Sequence, residues 1–324
     1  MTINLRKRCA AMVAVALLAI IVVLLVVMPA KQPKPKACCL AMTAQCLACS
    51  ENTSVDDYCS TNPKTIGCVK EDFELDDEPV WSYWENRRGK STPTIVKRCH
   101  QNWKEKGKVQ NIIFLNPDNL NEYIPDSEIA RINKGSDGNL AVKSDFIGLF
   151  LLHKYGGTVL DGTVYMNRPL SSWLSRAKGD SDFFCFTAER YAGGKICPET
   201  YFMSAKKGSI VAKEWYERLY GVGEKNKDAF FAQVQAESPE LTRNFVDNYL
   251  WVYLVGVKML TENPSLLSVM STKKSENGPL HAISQNKWST NETCNALKRP
   301  QSTDITKLDN GLWGACDASI VPVL

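Results

Sequence analysis

Between residues 79 and 260 the chain alternates short apolar runs with segments in which apolar residues recur at three- and four-residue steps. Compact apolar and aromatic runs predict buried strands, and the three- and four-residue steps predict helices. The predicted strands are 79–84, 109–115, 158–160, 183–186 and 201–205, and the main predicted helices are 141–155, 211–220 and 244–260. This alternation predicts an α/β fold with a mainly parallel sheet flanked by helices.

An uncharged run at positions 9–30 is built almost wholly from Ala, Val, Leu and Ile at its centre. A helix of this length crosses the ~30 Å hydrocarbon layer with its backbone hydrogen bonds satisfied internally. A cleaved signal peptide is the alternative, but its apolar core spans only ~7–15 residues, and Met28-Pro29-Ala30 is a poor cleavage sequence. We therefore expect a single-pass anchor. The charge bias slightly favours a type II protein, with its body lumenal or extracytoplasmic.

The predicted organisation has four parts: a basic tail at 1–8, the membrane helix at 9–30, a connecting region at 31–78 and a main domain at 79–324. The connecting region contains a Pro/Lys spacer, a cysteine-rich segment and an acidic linker. Six of the twelve cysteines lie in this region, which favours a disulfide-stapled module in an oxidising compartment. A zinc site using Cys46-x-x-Cys49 and a set of reduced thiols are the alternatives.

The overall charge argues against a nucleic-acid partner. The formal net charge is only +4 at pH 7, whereas nucleic-acid binders usually carry a clustered basic face. No such cluster is evident in the body of the chain.

The most informative candidate for chemistry is Asp161, which directly follows the predicted strand 158–160. Ligands of parallel α/β sheets bind outside the carboxyl ends of the strands. A carboxylate there can hold Mg²⁺ or Mn²⁺, which neutralises a leaving diphosphate. Gly156 and Gly157 precede the strand and would allow a sharp turn and a close approach of substrate. The alternative is that Asp161-Gly162 is only a turn between strands.

A second carboxylate, Asp145, lies on the helix that leads into this strand. It would accept hydrogen bonds from the hydroxyl groups of a ribose or a sugar. The alternative is a surface aspartate near a helix start, where the helix dipole favours negative charge.

Several motifs together resemble the capsular polysaccharide synthesis proteins and related sugar transferases with a DXD motif. They begin with Pro79-Val80-Trp81-Ser82-Tyr83-Trp84 and continue with Pro93-Thr94-Ile95-Val96, Cys99 and Trp103. The central block consists of Ala141, Ser144-Asp145, Leu151-Leu152, Tyr155-Gly156-Gly157 and Asp161. The resemblance extends from about residue 79 to residue 281, and its central block is the specific part.

This resemblance implies an A-type glycosyltransferase fold, a nucleotide-sugar donor, expected to be UDP-linked, and a divalent cation, Mn²⁺ or Mg²⁺. The implied reaction moves a hexose to a glycan or lipid-linked acceptor. The residues whose positions imply roles are Asp161 and Thr163 for the metal and diphosphate, Asp145 for the donor's ribose or sugar, Trp81 and Tyr83 for the base, Gly156 and Gly157 for close approach, and His281 for the diphosphate or acceptor.

Two departures from the family pattern keep a second function open. Thr163 stands where the family often has a second carboxylate, and Gly148 stands where an arginine is common. The alternative is therefore a catalytically inactive, membrane-anchored surface or virion protein that keeps the fold. In addition, the cysteine-rich segment resembles short leaders on membrane proteins of large algal DNA viruses, which would imply a viral origin.

Four later cysteines offer disulfides. Cys185 with Cys197, and Cys294 with Cys316, are the two candidate pairs, and spacing alone leaves the connectivity open.

Overall fold

The computed structural model describes residues 78–87, 89–242, 245, 250–308 and 316. The predicted anchor at 9–30 and the cysteine-rich segment lie outside these residues, so both stay predictions. Within the part of the chain that is described, no helix has the length and apolar character needed to cross a membrane. The described residues belong to one compact unit, which spans residues 63–324.

Each of the five apolar runs predicted as strands forms one, and the described residues contain three further strands that the sequence did not predict. The strands are β1 (Val80–Tyr83), β2 (Ile112–Leu115), β3 (Gly157–Leu160), β4 (Val164–Met166), β5 (Phe183–Thr187), β6 (Pro198–Ala205), β7 (Met270–Lys274) and β8 (Ile305–Lys307). Six of them make one sheet in the order β2-β1-β3-β6-β5-β7, and β4 pairs with β8 in a second, two-stranded sheet. In the large sheet only β6 runs against its neighbours. The predicted α/β class with a mainly parallel sheet is confirmed.

The helices alternate with these strands. They are α1 (Thr94–Glu105), α2 (Asp126–Ser136), α3 (Leu140–Tyr155), α4 (Leu174–Lys178), α5 (Ile210–Gly223), α6 (Lys227–Glu237), α7 (Trp251–Glu262), α8 (His281–Gln285) and α9 (Thr290–Leu297). The predicted helices at 141–155 and 211–220 correspond to α3 and α5, and the described part of the one at 244–260 corresponds to α7.

Alternate residues of β5 enter cores on opposite faces of the large sheet. Phe183 and Cys185 on β5 belong to a core that also contains residues of α3, α5 and α7. Phe184 and Phe186 belong to a second core, formed with residues of α1 and the small sheet. This two-residue period is what a strand covered on both faces requires.

Gly148 lies where helix α3 packs directly on the sheet. A Cβ atom at this position would lie 3.0 Å from Cγ1 of Val159 and 3.4 Å from Cε of Met203. The position faces the core, so a long charged side chain does not fit in this packing. Glycine in place of the family's arginine therefore allows helix α3 to pack close to the sheet.

The paired glycines make the turn from α3 into β3. Gly156 and Gly157 have φ values of 76° and 94°, which residues with a side chain rarely adopt. A Cβ on Gly157 would also lie 2.2 Å from the carbonyl oxygen of Pro79. The two glycines therefore serve a tight turn and a close contact with β1.

One of the two candidate disulfides is formed. Cys294 on α9 is bonded to Cys316, whereas Cys185 and Cys197 are free and buried. The segment between the bonded cysteines includes β8, which pairs antiparallel with β4 through Val164 and Lys307. The bond therefore closes a loop that carries the second strand of the small sheet.

Candidate functional site

A cavity of about 710 Å³ opens at the carboxyl ends of β1 and β3. Because β6 runs in the opposite direction, its early residues Thr200 and Tyr201 reach the same edge. The first turns of α3, the first turn of α7 and the last residue of β8 also line the cavity. The cavity thus lies at the edge of a parallel sheet where ligands generally bind, and its size suits a small-molecule ligand.

Asp161 lines this cavity directly after β3. Its backbone N–H donates to the carbonyl oxygen of Tyr201 at 2.9 Å, which fixes the backbone at the end of the strand. Oδ1 accepts hydrogen bonds from the backbone nitrogen of Thr163 at 2.9 Å and from Oγ1 of Thr163 at 2.7 Å. The local Asp161–Thr163 turn therefore orients the carboxylate, and the side chain remains 40% exposed.

The cationic partner of this carboxylate is Lys307. Its ammonium nitrogen lies 3.0 Å from Oδ2 of Asp161 and donates to Oγ1 of Thr163 at 2.5 Å. Burial of Asp161 opposes ionisation, but Lys307 and the hydrogen bonds from Thr163 outweigh it and lower the pKa of the carboxyl. At neutral pH the site therefore holds an ionised carboxylate bound to an ammonium.

Asp145 lines the same cavity from the first turns of α3. Burial raises the pKa of this carboxyl to about 7, a hydrogen bond with Thr200 opposes the shift, and the negative charge of Asp161 adds to it. The two carboxylates consequently differ, because Asp161 is ionised at neutral pH whereas Asp145 is poised between its two forms.

Tyr83, the last residue of β1, lines the cavity as part of a hydrogen-bonded group. Its hydroxyl donates to Oε2 of Glu85, and the ammonium of Lys143 donates to the same oxygen at 2.7 Å. Burial raises the pKa of Glu85, but Lys143 and Tyr83 outweigh it, so the net shift is downward. Burial and the neighbouring Glu85 raise the pKa of Tyr83. The phenol is therefore neutral and held in place.

Exposed cations lie at the rim of the cavity. Arg87 and Lys90 follow β1, line the opening and are exposed. Among the described residues, neither of these two side chains forms an ion pair with a carboxylate. Exposed ammonium and guanidinium groups beside a cavity favour an anionic ligand such as a phosphate group.

Four of the predicted site residues do not line the cavity. Trp81 is 1% exposed and lies in the core, where its Nε1 donates to the carbonyl oxygen of Gly156 at 2.9 Å. It lies two residues earlier on β1 than Tyr83, so a base cannot stack on it in this arrangement. Gly156 precedes β3 and Gly157 begins it, whereas the cavity lies at the other end of the strand.

His281 is the fourth of these residues. It begins α8 and does not line the cavity. Its Nδ1 atom is buried and has no hydrogen-bond partner in the described structure. The predicted contact of His281 with a diphosphate or an acceptor is therefore not present in this arrangement.

The residues predicted to bind a metal are close together but are not arranged as a cation site. Among the described residues, no group of three or more His, Cys, Asp or Glu side chains could hold a metal ion. Asp161 and Thr163 offer one carboxylate and one hydroxyl, and both already contact the ammonium of Lys307. Because Mg²⁺ and Mn²⁺ prefer several oxygen ligands, this donor set does not fit a divalent ion.

Sequence patterns had not indicated Lys307, Thr200 or Lys143 as parts of the site. Lys307 reaches the cavity only because β8 pairs with β4, and no local pattern predicts that pairing. Arg87 and Lys90 did have a signal, because they follow a predicted strand and loops at the carboxyl ends of strands line ligand sites.

One family model matches the sequence. The model is described as "Capsular polysaccharide synthesis protein", and it matches residues 53–231, which is more than half of the chain. This match confirms the family resemblance found in the motifs. No protein with curated annotation matches the sequence.

A comparison with solved structures also finds several transferases among its matches. The mouse xyloside xylosyltransferase 1 in its apo form is 8% identical over 72% of this chain and 98% of its own, with a TM-score of 0.40. The PaToxG glycosyltransferase is 11% identical over 59% of this chain and 73% of its own, with a TM-score of 0.34. The glycosyltransferase GlyE of Streptococcus pneumoniae TIGR4 is 11% identical over 76% of this chain and 62% of its own, with a TM-score of 0.35. At these identities and TM-scores, the family assignment rests on the sequence match.

Proposed function

The chain belongs to the capsular polysaccharide synthesis protein family, and we propose that it is a glycosyltransferase that uses a nucleotide-sugar donor. The observation that carries this proposal is the pairing of Asp161 and Lys307 in a cavity of about 710 Å³ at the carboxyl end of β3. A nucleotide-sugar needs a site for its diphosphate, its sugar hydroxyls and its base, and this cavity offers suitable groups for each.

The diphosphate is assigned to the cationic side of the cavity. Lys307 uses two of its three N–H groups on Asp161 and Thr163, and the third remains for a phosphate oxygen. Arg87 and Lys90 add positive charge at the rim. Charge-assisted hydrogen bonds of this kind are stronger than neutral ones, so this side attracts the most negative part of the donor.

The sugar and the base are assigned to the remaining walls. Asp145 accepts hydrogen bonds from the hydroxyls of the ribose or the sugar when it is ionised, as its position on α3 suggests. Tyr83 offers an aromatic ring near the cavity, with its hydroxyl already bonded to Glu85. Aromatic rings supply apolar contact for a nucleotide base.

In the proposed reaction the bond between the anomeric carbon of the sugar and a diphosphate oxygen breaks, and the oxygen keeps the electron pair. The hydroxyl oxygen of the acceptor forms the new bond to that carbon. The hydroxyl proton passes to an ionised carboxylate of the cavity, for which Asp145 has a suitable pKa of about 7.

The finer points of the function are part of the same proposal. We take the donor to be UDP-linked, the transferred group to be a hexose and the acceptor to be a glycan or a lipid-linked glycan. The apolar run at 9–30 supports a membrane anchor, with the transferase domain lumenal or extracytoplasmic. A lipid-linked acceptor is consistent with such an anchor.

A binding and hydrolysis screen tests the function. The purified full chain is titrated with UDP-, GDP- and CMP-linked sugars by calorimetry, and slow release of the nucleotide is followed by chromatography. We expect at least one nucleotide-sugar to bind and to be hydrolysed slowly, and Asp161→Asn to lose that binding. Asp304→Asn is the control, because Asp304 pairs with Arg168 and Lys273 and does not line the cavity. Failure of every donor to bind would leave a glycosyltransferase-like scaffold without activity.

A further inference from the structure

The ammonium of Lys307 lies beside Asp161 and Thr163 at the wall of the cavity. It contacts both groups that the sequence offers as metal ligands, Oδ2 of Asp161 at 3.0 Å and Oγ1 of Thr163 at 2.5 Å. It comes from β8, whose pairing with β4 places Lys307 opposite Val164, directly after Thr163. The ammonium is therefore held by backbone pairing and by two side-chain contacts.

A divalent ion and this ammonium exclude one another. An ion bound to a carboxylate oxygen lies about 2.0–2.6 Å from it, so an ion on Asp161 would lie beside the ammonium of Lys307. Two positive groups at such a distance repel strongly where water is limited, and Lys307 is only 14% exposed. Thr163 adds no negative charge to hold both.

We propose that Lys307 replaces the divalent cation, binding the donor's diphosphate directly, so that donor binding and sugar transfer need no metal. This inference rests on the proposed glycosyltransferase function and specifies how that site handles its leaving group. When the bond from the anomeric carbon to the diphosphate oxygen breaks, the electron pair stays on that oxygen. The ammonium of Lys307 stabilises the added negative charge and keeps its protons throughout.

Asp161 has a different role under this inference from the one implied by a metal site. It does not touch the donor through a cation, but orients the ammonium of Lys307. Thr163 is then suited to the site without a second carboxylate, because its hydroxyl accepts from Lys307 and donates to Asp161. A site that uses Lys307 in place of a metal therefore also accounts for Thr163, which stands where the family often has a second carboxylate.

The first test compares the affinity of the full chain for UDP and for pyrophosphate in EDTA and in Mn²⁺, by calorimetry. We expect the wild-type affinity to differ by less than about twofold between the two conditions. Lys307→Met should lose about tenfold or more in EDTA, since a charge-assisted hydrogen bond is removed. Lys307→Arg should retain most of the affinity because it keeps the charge.

A second test asks whether removing the ammonium creates a metal site. Mn²⁺ binding is followed by electron paramagnetic resonance in the wild type and in Lys307→Met, with and without UDP. We expect the wild type to leave Mn²⁺ free and Lys307→Met to bind it, with Mn²⁺ restoring part of its UDP affinity. Lys273→Met is the control, since it removes a strand lysine that pairs with Asp304 away from the cavity, and it should behave as the wild type.

The outcomes separate this inference from the function on which it rests. If the wild type binds UDP in Mn²⁺ but not in EDTA, the transferase function stands and the metal-free inference is overturned. If no nucleotide or nucleotide-sugar binds under either condition, the transferase function fails. If, in addition, the wild type binds Mn²⁺ and Asp161→Asn does not, the assignment of Lys307 is overturned as well. Melting temperatures of all variants identify any that fail to fold.

Discussion

The ammonium nitrogen of Lys307 lies 3.0 Å from Oδ2 of Asp161, and this contact joins the end of β3 in the large sheet to β8 in the small one. Lys307 also donates to Thr163, so it contacts two residues of the segment that follows β3. The same contact shapes the candidate site and ties two sheets together, so changes to it affect binding and stability at once.

Asp161→Asn should therefore reduce both ligand affinity and stability. The substitution leaves the partly buried ammonium of Lys307 without its charged partner, which costs about 1–2 kcal/mol at a site that is partly exposed. We expect a lower midpoint of chemical denaturation and loss of UDP binding. Asp304→Asn removes a carboxylate from an exposed ion-pair group and should cost less than about 1 kcal/mol. An unchanged denaturation midpoint for Asp161→Asn would contradict the structural role of this contact.

Asp145→Asn should make the protein more stable at high pH. The folded state raises the pKa of Asp145 from 3.8 to about 7, so folding takes up a proton between these pH values. Stability from this group is complete below about pH 4 and is lost as the pH rises towards 7. Asparagine avoids the burial of charge, and we expect a gain of about 1–3 kcal/mol at pH 8, limited by the water in the cavity.

The measurement is urea denaturation of the wild type and Asp145→Asn at pH 4.5 and pH 8. The difference between the two proteins should be small at the lower pH and larger at the higher one. The variant should also lose affinity for the donor, because an amide replaces the carboxylate acceptor. A stability difference that is the same at both pH values would show that the carboxyl does not titrate as described.

Gly162→Ala should disturb the cavity through Trp84. A Cβ atom at this position would lie 2.9 Å from Cε3 of Trp84 and 3.1 Å from Cγ1 of Val96, so the indole that lines the cavity must move. We expect a cost of about 1–2 kcal/mol and a severalfold weaker affinity for UDP by calorimetry. Gly221→Ala is the matched control, since its Cβ would meet nothing within 4 Å in helix α5. It should stabilise the protein by about 0.5–1 kcal/mol.

Removal of the disulfide between Cys294 and Cys316 should loosen the strand that carries Lys307. The bond spans a sequence separation of 22 residues, for which chain entropy predicts a contribution of about 3 kcal/mol. Cys294→Ser with Cys316→Ser should lower the melting temperature and weaken UDP binding together. Dithiothreitol should lower the UDP affinity of the wild type and leave that of the double variant unchanged. Equal UDP affinities of the wild type and the double variant would show that the disulfide does not support the site.

Strands β1, β2, β3, β5 and β6 were predictable because burial on both faces of a sheet leaves compact apolar runs in the sequence, whereas β4, β7 and β8 were not predicted. Helix α3 was predictable for a related reason, since apolar residues at three- and four-residue steps cover most of its circumference. Asp161 could be placed at a strand end from the same pattern. The sequence could not distinguish the roles of Trp81 and Tyr83, because both side chains lie on the same face of β1. Only Tyr83, at the end of the strand, lines the cavity.

Local order along the chain therefore determined the α/β fold, the position of Asp161 at the end of β3 and the family to which the protein belongs. Only the tertiary structure decided that Lys307 is the cation beside Asp161 and that Thr200 shares its cavity. The spacing of apolar residues shows which side of a helix or strand is buried, because that pattern involves only residues close together in the sequence. An ion pair between β3 and β8 depends on how distant segments pack, and the identity of either residue carries no information about the other.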